Sequence, residues 1–180
     1  ALVRITVGGF PMISAGTLHV ISTELTVGMF ALSGVAFLLC FLKKGPESRE
    51  AVAHWALLGG LIATPLAIVT GINSSPGEGF TSPLLANKML LSMTSVGLAV
   101  GVLLRRKWDF VVDARHSSLG MLSVGLMMVT AGIGGEYSRS ETLLFFVPKE
   151  TVPLFPIWAS VLIAIIGCVL VAKSAIEHRG

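Results

Sequence analysis

Apolar residues come in five long runs along the chain, near 19–42, 51–72, 84–104, 117–135 and 153–172, and polar stretches separate them. Each run is about 20 residues, the length a helix needs to cross roughly 30 Å of hydrocarbon. The five windows contain only two residues among Asp, Glu, Lys and Arg, namely Glu24 and Lys88. A soluble bundle would need charged outer faces on its helices, and these runs have none. Lipid is therefore the expected solvent. In lipid every backbone polar group must be satisfied within the segment, so each run is expected to be a helix. Breaker and charge signals fall between them: Lys43-Lys44-Gly45-Pro46, Asn73-Ser74-Ser75-Pro76-Gly77, Arg105-Arg106-Lys107 and the stretch from Glu136 to Pro153. Short connections make sequential helices antiparallel neighbours. The expected architecture is an all-α integral membrane protein: one domain over 1–180, an antiparallel four-helix transmembrane bundle plus a fifth transmembrane helix.

Composition agrees with the pattern. The 180 residues are 53% hydrophobic and 13% charged, with a mean hydropathy of +0.84, whereas soluble domains carry about 25% charged residues. A net charge of +3 and a pI near 9.1 would suit nucleic acid only if the basic residues formed a face or stripe. They sit instead in short clusters between apolar runs, so no nucleic-acid partner is expected. Lys43, Lys44, Arg49, Arg105, Arg106, Lys107, Arg115, Lys173 and Arg179 fall on one side of the topology, and Arg4, Lys88, Arg139 and Lys149 on the other. The positive-inside rule then places the richer side in the cytoplasm, with the N terminus outside and the C terminus inside a cytoplasmic membrane. Residues 1–16 lack the features of a cleaved signal peptide and are expected to lie along the outer interface. Cys40 and Cys168 stand inside apolar runs, far from any CxxC or Cys/His spacing, which argues against a disulfide framework or a metal site.

Small residues mark expected helix contacts: Gly97-x-x-x-Gly101 in the third run, with Gly28 and Gly34 in the first. Pro65 removes a backbone donor from the second span, and Thr64 is placed to compensate. Chemistry-bearing residues are few. His54 and His116 each stand in or beside the first turn of a span on the cytoplasmic side, at the common depth that two imidazoles holding a haem b would need. His19 opens the first span on the opposite side. These three are the candidate cofactor-binding residues, for haem or quinone, with interfacial histidines as the plainer reading. The methionines, Met127-Met128 and Met89 with Met93 among them, read as core packing. Glu24 and Lys88 are estimated at matching depths in the first and third spans, and an ionisable residue inside a span calls for a partner or a pathway. The favoured expectation is an ion pair locking two helices; a proton relay or a polar-headgroup site is the alternative.

The first span opens Leu18-His19-Val20-Ile21-Ser22-Thr23-Glu24, the second closes on Thr70-Gly71, and the fourth closes Ala131-Gly132-Ile133-Gly134-Gly135-Glu136. Over 18–137 these segments resemble an uncharacterised family of four-helix prokaryotic membrane proteins, the domain of unknown function 2231. There, helix one begins with a pattern like H-P-x-x-x-H-F-P and helix four ends near a Gly-Gly-acidic or Gly-Gly-polar step. The resemblance implies a four-helix fold, to which the fifth run is an addition. Where the family has its second helix-one histidine this chain has Glu24, and where the third helix often has one it has Asn87-Lys88. Only His19 matches. If the family histidines hold haem or metal, this chain has an anion and a cation in their place, and haem is not expected there.

Together these features lead us to expect a non-catalytic integral membrane subunit of a larger respiratory or electron-transfer complex, whose partners are other membrane subunits and the lipid bilayer. The competing expectations are a haem b or quinol-binding subunit and a small transporter or proton channel.

Overall fold

A computed structural model describes residues 6–7, 10–11, 13–74, 82–108, 112–139 and 156–177. Five helices account for nearly all of them: α1 (Ala15–Phe41), α2 (Arg49–Ser74), α3 (Pro83–Trp108), α4 (Ala114–Arg139) and α5 (Ile157–Glu177). Before α1, β1 (Thr6–Val7) and β2 (Phe10–Pro11) pair antiparallel, with Thr6 opposite Pro11.

The first four helices overrun their apolar windows by up to a turn or so, because local capping chemistry sets the ends of a helix. Ser14 caps α1, its hydroxyl accepting from the Thr17 N–H at 3.1 Å. Asp113 caps α4, its carboxylate accepting from the His116 N–H at 2.7 Å. Lys43 and Gly45 take left-handed φ angles of 54° and 86°, which turn the chain sharply after α1 and let Arg49 begin α2. Pro65 sits inside a continuous α2. The Thr64 hydroxyl donates to the Gly60 carbonyl at 2.8 Å, one position short of the Leu61 carbonyl that Pro65 leaves without its N–H, so the expected compensation does not form.

Packing pairs α1 with α2 and α3 with α4, and α1 also packs on α4. The α2–α3 contact is slight, the backbones of α1 and α3 stay apart across the bundle among the described residues, and α5 lies against α3. The buried face of α1 runs through Ser22, Thr26, Phe30, Ser33 and Phe37. Phe30 and Phe37 are seated by glycines of the neighbours: a methyl group on Gly60 would lie 2.6 Å from the Phe30 ring, and one on Gly120 would lie 2.6 Å from the Phe37 ring. Gly34 likewise gives way to Val124 of α4, whereas Gly28 and Gly97 face open space, so of these three Gly34 makes the close contact. Phe30, Phe37, Leu57, Ala99, Val124 and Met127 belong to one apolar core. Hydroxyls bind the pairs: Ser33 donates to the Ala53 carbonyl, and Ser95 and Ser123 each donate to the other's carbonyl at 2.7 and 2.8 Å.

Helices α1 to α4 are long and apolar enough to cross a membrane, and their outer faces are apolar, with Leu25, Leu32, Trp55, Ile62 and Ile72 exposed. The chain is a helical bundle of multi-pass membrane type. Of the five spans expected from sequence, these four meet that description; the apolar stretch in α5, Ile157–Val169, is shorter. Cys40 is buried and Cys168 exposed, both as free thiols. The bundle has a basic end, where α1 runs into α2 and α3 into α4, and a far end, where α1 begins and α4 finishes.

Candidate functional site

At the basic end the structure brings His54 and His116 into direct contact. The Nε2 atoms are 2.8 Å apart and the rings tilt by 38° with centroids at 5.1 Å. Both are buried, at 8% and 1% exposure. His54 stands in the second turn of α2 and His116 in the first turn of α4, so two helices that start at one end deliver them to one level.

The hydrogen bonds define the tautomers. His54 Nδ1 lies 2.6 Å from the Glu50 carbonyl, which can only accept, so Nδ1 bears the proton and the neutral ring's Nε2 is an acceptor. His116 must then donate from Nε2. Its Nδ1 is left as a lone pair, and that atom is buried with no partner among the described residues. Phe37 stands edge-on to His54 at 5.3 Å and 6.0 Å from His116, closing the pair from the α1 side.

Two ion pairs brace this arrangement from α3. Arg106 reaches Glu50 at 3.8 Å and Arg105 reaches Asp113 at 3.3 Å. Glu50 holds His54 through its carbonyl, and Asp113 holds the backbone of His116. Each histidine thus rests on an acidic residue that a last-turn arginine of α3 anchors. The His116 N–H and, after it, the Arg105 guanidinium hold the Asp113 carboxyl below its usual range.

A haem between these rings would need iron with one imidazole nitrogen on each face, roughly 4 Å apart at about 2 Å per bond, and a porphyrin between them. Nitrogens at 2.8 Å, hydrogen-bonded and capped by Phe37, do not fit that group. Among the described residues no three of His, Cys, Asp and Glu gather as a metal site.

The far end is arranged differently. His19 Nδ1 lies 2.9 Å from the Ala67 carbonyl and 3.3 Å from the Thr70 hydroxyl, which ties α1 to α2; its ring fills the space over Gly71, where an added methyl would meet Cε1 at 2.8 Å. Lys88 extends from α3 so that its Nζ would lie 2.6 Å from a methyl placed on Gly134 of α4. Glu24 is exposed on α1. The expected Glu24–Lys88 ion pair is therefore corrected: the two residues match in depth but differ in direction. At about 100° per residue, Glu24 lies some 200° around α1 from Ser22 on the buried face, and among the described residues no Glu24–Lys88 ion pair forms.

Sequence reasoning placed His54 and His116 at one level and missed what holds them. Glu50 precedes His54 by four residues and Asp113 precedes His116 by three, spacings that a helix turns into contacts. Phe37 could be found only through tertiary packing. Compared with models of known protein families, with curated proteins and with solved structures, the chain matches none.

Proposed function

We propose that this chain is a non-catalytic membrane subunit of a larger membrane assembly, of the electron-transferring kind expected from its sequence. The observation that carries the proposal is Glu24. Its side chain leaves the bundle among exposed Ile21, Leu25 and Leu32, about nine residues into a 27-residue helix. An acidic side chain costs about 3 kcal/mol at the centre of a span and less toward its ends, and a neighbouring helix offering a donor to the carboxylate offsets that cost. Gly28, one turn on with open space above it, lets such a helix approach closely. The partner in this reading is a transmembrane helix bearing a basic or amide side chain at the Glu24 level.

The proposed topology has five spans, with α5 as the fifth. It is 21 residues long and exposes Val161, Leu162, Ile165, Ile166 and Val169. The nine-to-four division of Lys and Arg assigns the basic end to the cytoplasm. Thiol labelling of intact cells should reach Ser75→Cys and spare Ser48→Cys; the opposite pattern inverts the orientation. A proton channel is the weaker reading, because Phe30, Leu57, Ala99, Val124 and Met127 form an apolar slab between the two polar ends. The haem reading has less support, because His54 and His116 meet nitrogen to nitrogen at 2.8 Å.

The assembly proposal is tested by native electrophoresis of membranes solubilised in mild detergent. The chain should migrate far above its own 18.9 kDa, Glu24→Lys should release it, and Glu24→Gln should retain it in part. Migration as a single small species, or an assembly indifferent to Glu24→Lys, would refute the subunit reading.

A further inference from the structure

We infer that the far end of the bundle binds a hydroxyl-bearing headgroup of a membrane-soluble molecule, of the phenol or quinol class, between Lys88, His19 and Thr23. The proposal is independent of the assembly reading and begins with an uncompensated charge. Lys88 has no carboxylate within salt-bridge reach and no hydrogen bond among the described residues, yet its Nζ is drawn inward over Gly134.

Helix register places a second uncommitted group beside it. Gly34 of α1 packs on Val124 of the antiparallel α4, and Phe37 packs on Gly120. Stepping from Gly34 toward the far end by the same number of residues that separates Val124 from Gly135 arrives at Thr23. Thr23 is therefore level with Gly134 and Gly135, where the Lys88 ammonium lies. The Thr23 hydroxyl is buried there without a partner among the described residues. Other threonines of the core return their hydroxyls to their own helix, as Thr26 does to the Ser22 carbonyl at 2.8 Å; at Thr23 the group is left over.

His19, one turn further out on the same helix, supplies a third. Its Nδ1 faces the Ala67 carbonyl, an acceptor only, so Nδ1 carries the proton and Nε2 of the neutral ring is a bare acceptor. It makes no hydrogen bond among the described residues, and Lys88 is near enough to interact with it electrostatically. The three groups define the complementary ligand. A cation requires an acceptor oxygen, the imidazole lone pair requires a donor, and the threonine takes either role. One hydroxyl does both jobs, donating to His19 Nε2 while accepting from Lys88 Nζ. Because the level lies within an apolar span, the hydroxyl must ride on an apolar body.

Such a hydroxyl comes from a quinol or from the glycerol of an acidic lipid, and the test separates these sources. The full chain in phosphatidylcholine nanodiscs is titrated anaerobically with decylubiquinol, with decylubiquinone and with phosphatidylglycerol, following thermal stability. Decylubiquinol is expected to give a saturable stabilisation at least about tenfold tighter than decylubiquinone, which offers acceptors and no donor. Lys88→Met should weaken it by about tenfold or more, and Thr23→Val by less. Lys88→Met without ligand should be as stable as the parent, so weakened binding will not reflect misfolding. Saturation by phosphatidylglycerol alone would keep the hydroxyl chemistry and overturn the quinol assignment. Absence of saturation by all three, or binding indifferent to Lys88→Met, would leave only water at these groups and overturn the site.

Discussion

The two ends of the bundle are built from the same materials, imidazoles and basic side chains brought together from different helices, and they resolve them in different ways. At the basic end His54 and His116 satisfy one another at 2.8 Å, and Glu50, Asp113, Arg105 and Arg106 close the network around them, leaving over the His116 Nδ1 lone pair and Arg49 Nε among the described residues. At the far end, among the described residues, His19 is half used, Lys88 forms no ion pair, and Thr23 Oγ1 and Glu136 Oε2 are buried without a hydrogen-bond partner. A polar group buried without a partner costs free energy in proportion to how little else can solvate it. The basic end therefore serves mainly to hold the fold, and the far end holds binding capacity in reserve.

The comparison is tested most severely at the histidine pair. Replacing His116 by Ala removes a fully buried ring and strands the His54 acceptor, a loss on the order of 3 kcal/mol. His54→Ala should cost a similar amount, and the double variant less than the sum of the two, with a coupling of about 1–2 kcal/mol in a double-mutant cycle followed by thermal denaturation in detergent. Strict additivity would mean the 2.8 Å contact contributes nothing.

The same cycle on Glu24→Gln and Lys88→Met should give a coupling below about 0.5 kcal/mol, as for residues that do not meet. Recovery of a large loss in the double variant would restore the ion pair expected from sequence and remove the open character of the far end.

The smallest effect concerns pH at the collar. Because the folded Asp113 carboxyl titrates below its ordinary range, it contributes stability above the unfolded pKa, near 3.9, and loses that contribution as pH falls through the lower folded value. Acidification below about pH 4 should therefore weaken the chain slightly more than it weakens Asp113→Asn. An identical acid profile for both would show that the carboxylate is not braced by His116 N–H and Arg105. The effect is small because Asp113 is partly exposed and solvent screens it.

Which of these features could be read from sequence follows a physical rule. Span number and depth depend on composition along one axis, so α1 to α4 and the common level of His54 and His116 were legible. Direction around a helix depends on which face its neighbours cover. The spacing of Ser22, Thr26, Ser33 and the phenylalanines marks the buried face of α1, and applied to Glu24 it would have pointed that side chain outward. Gly134 as a seat for Lys88, and Gly120 for Phe37, depend on the register between α4 and its neighbours, which no local signal carries.

Lys88 is a half-buried cation with no ion pair or hydrogen bond among the described residues, held for a ligand rather than for the fold. That role is tested most directly by the thermal stability of Lys88→Met in ligand-free phosphatidylcholine nanodiscs. The expected midpoint equals or exceeds that of the parent chain, since the substitution removes an uncompensated charge and keeps most of the apolar stem. A drop comparable to that of His116→Ala would show instead that the Lys88 charge holds the helices together and is not kept for a ligand.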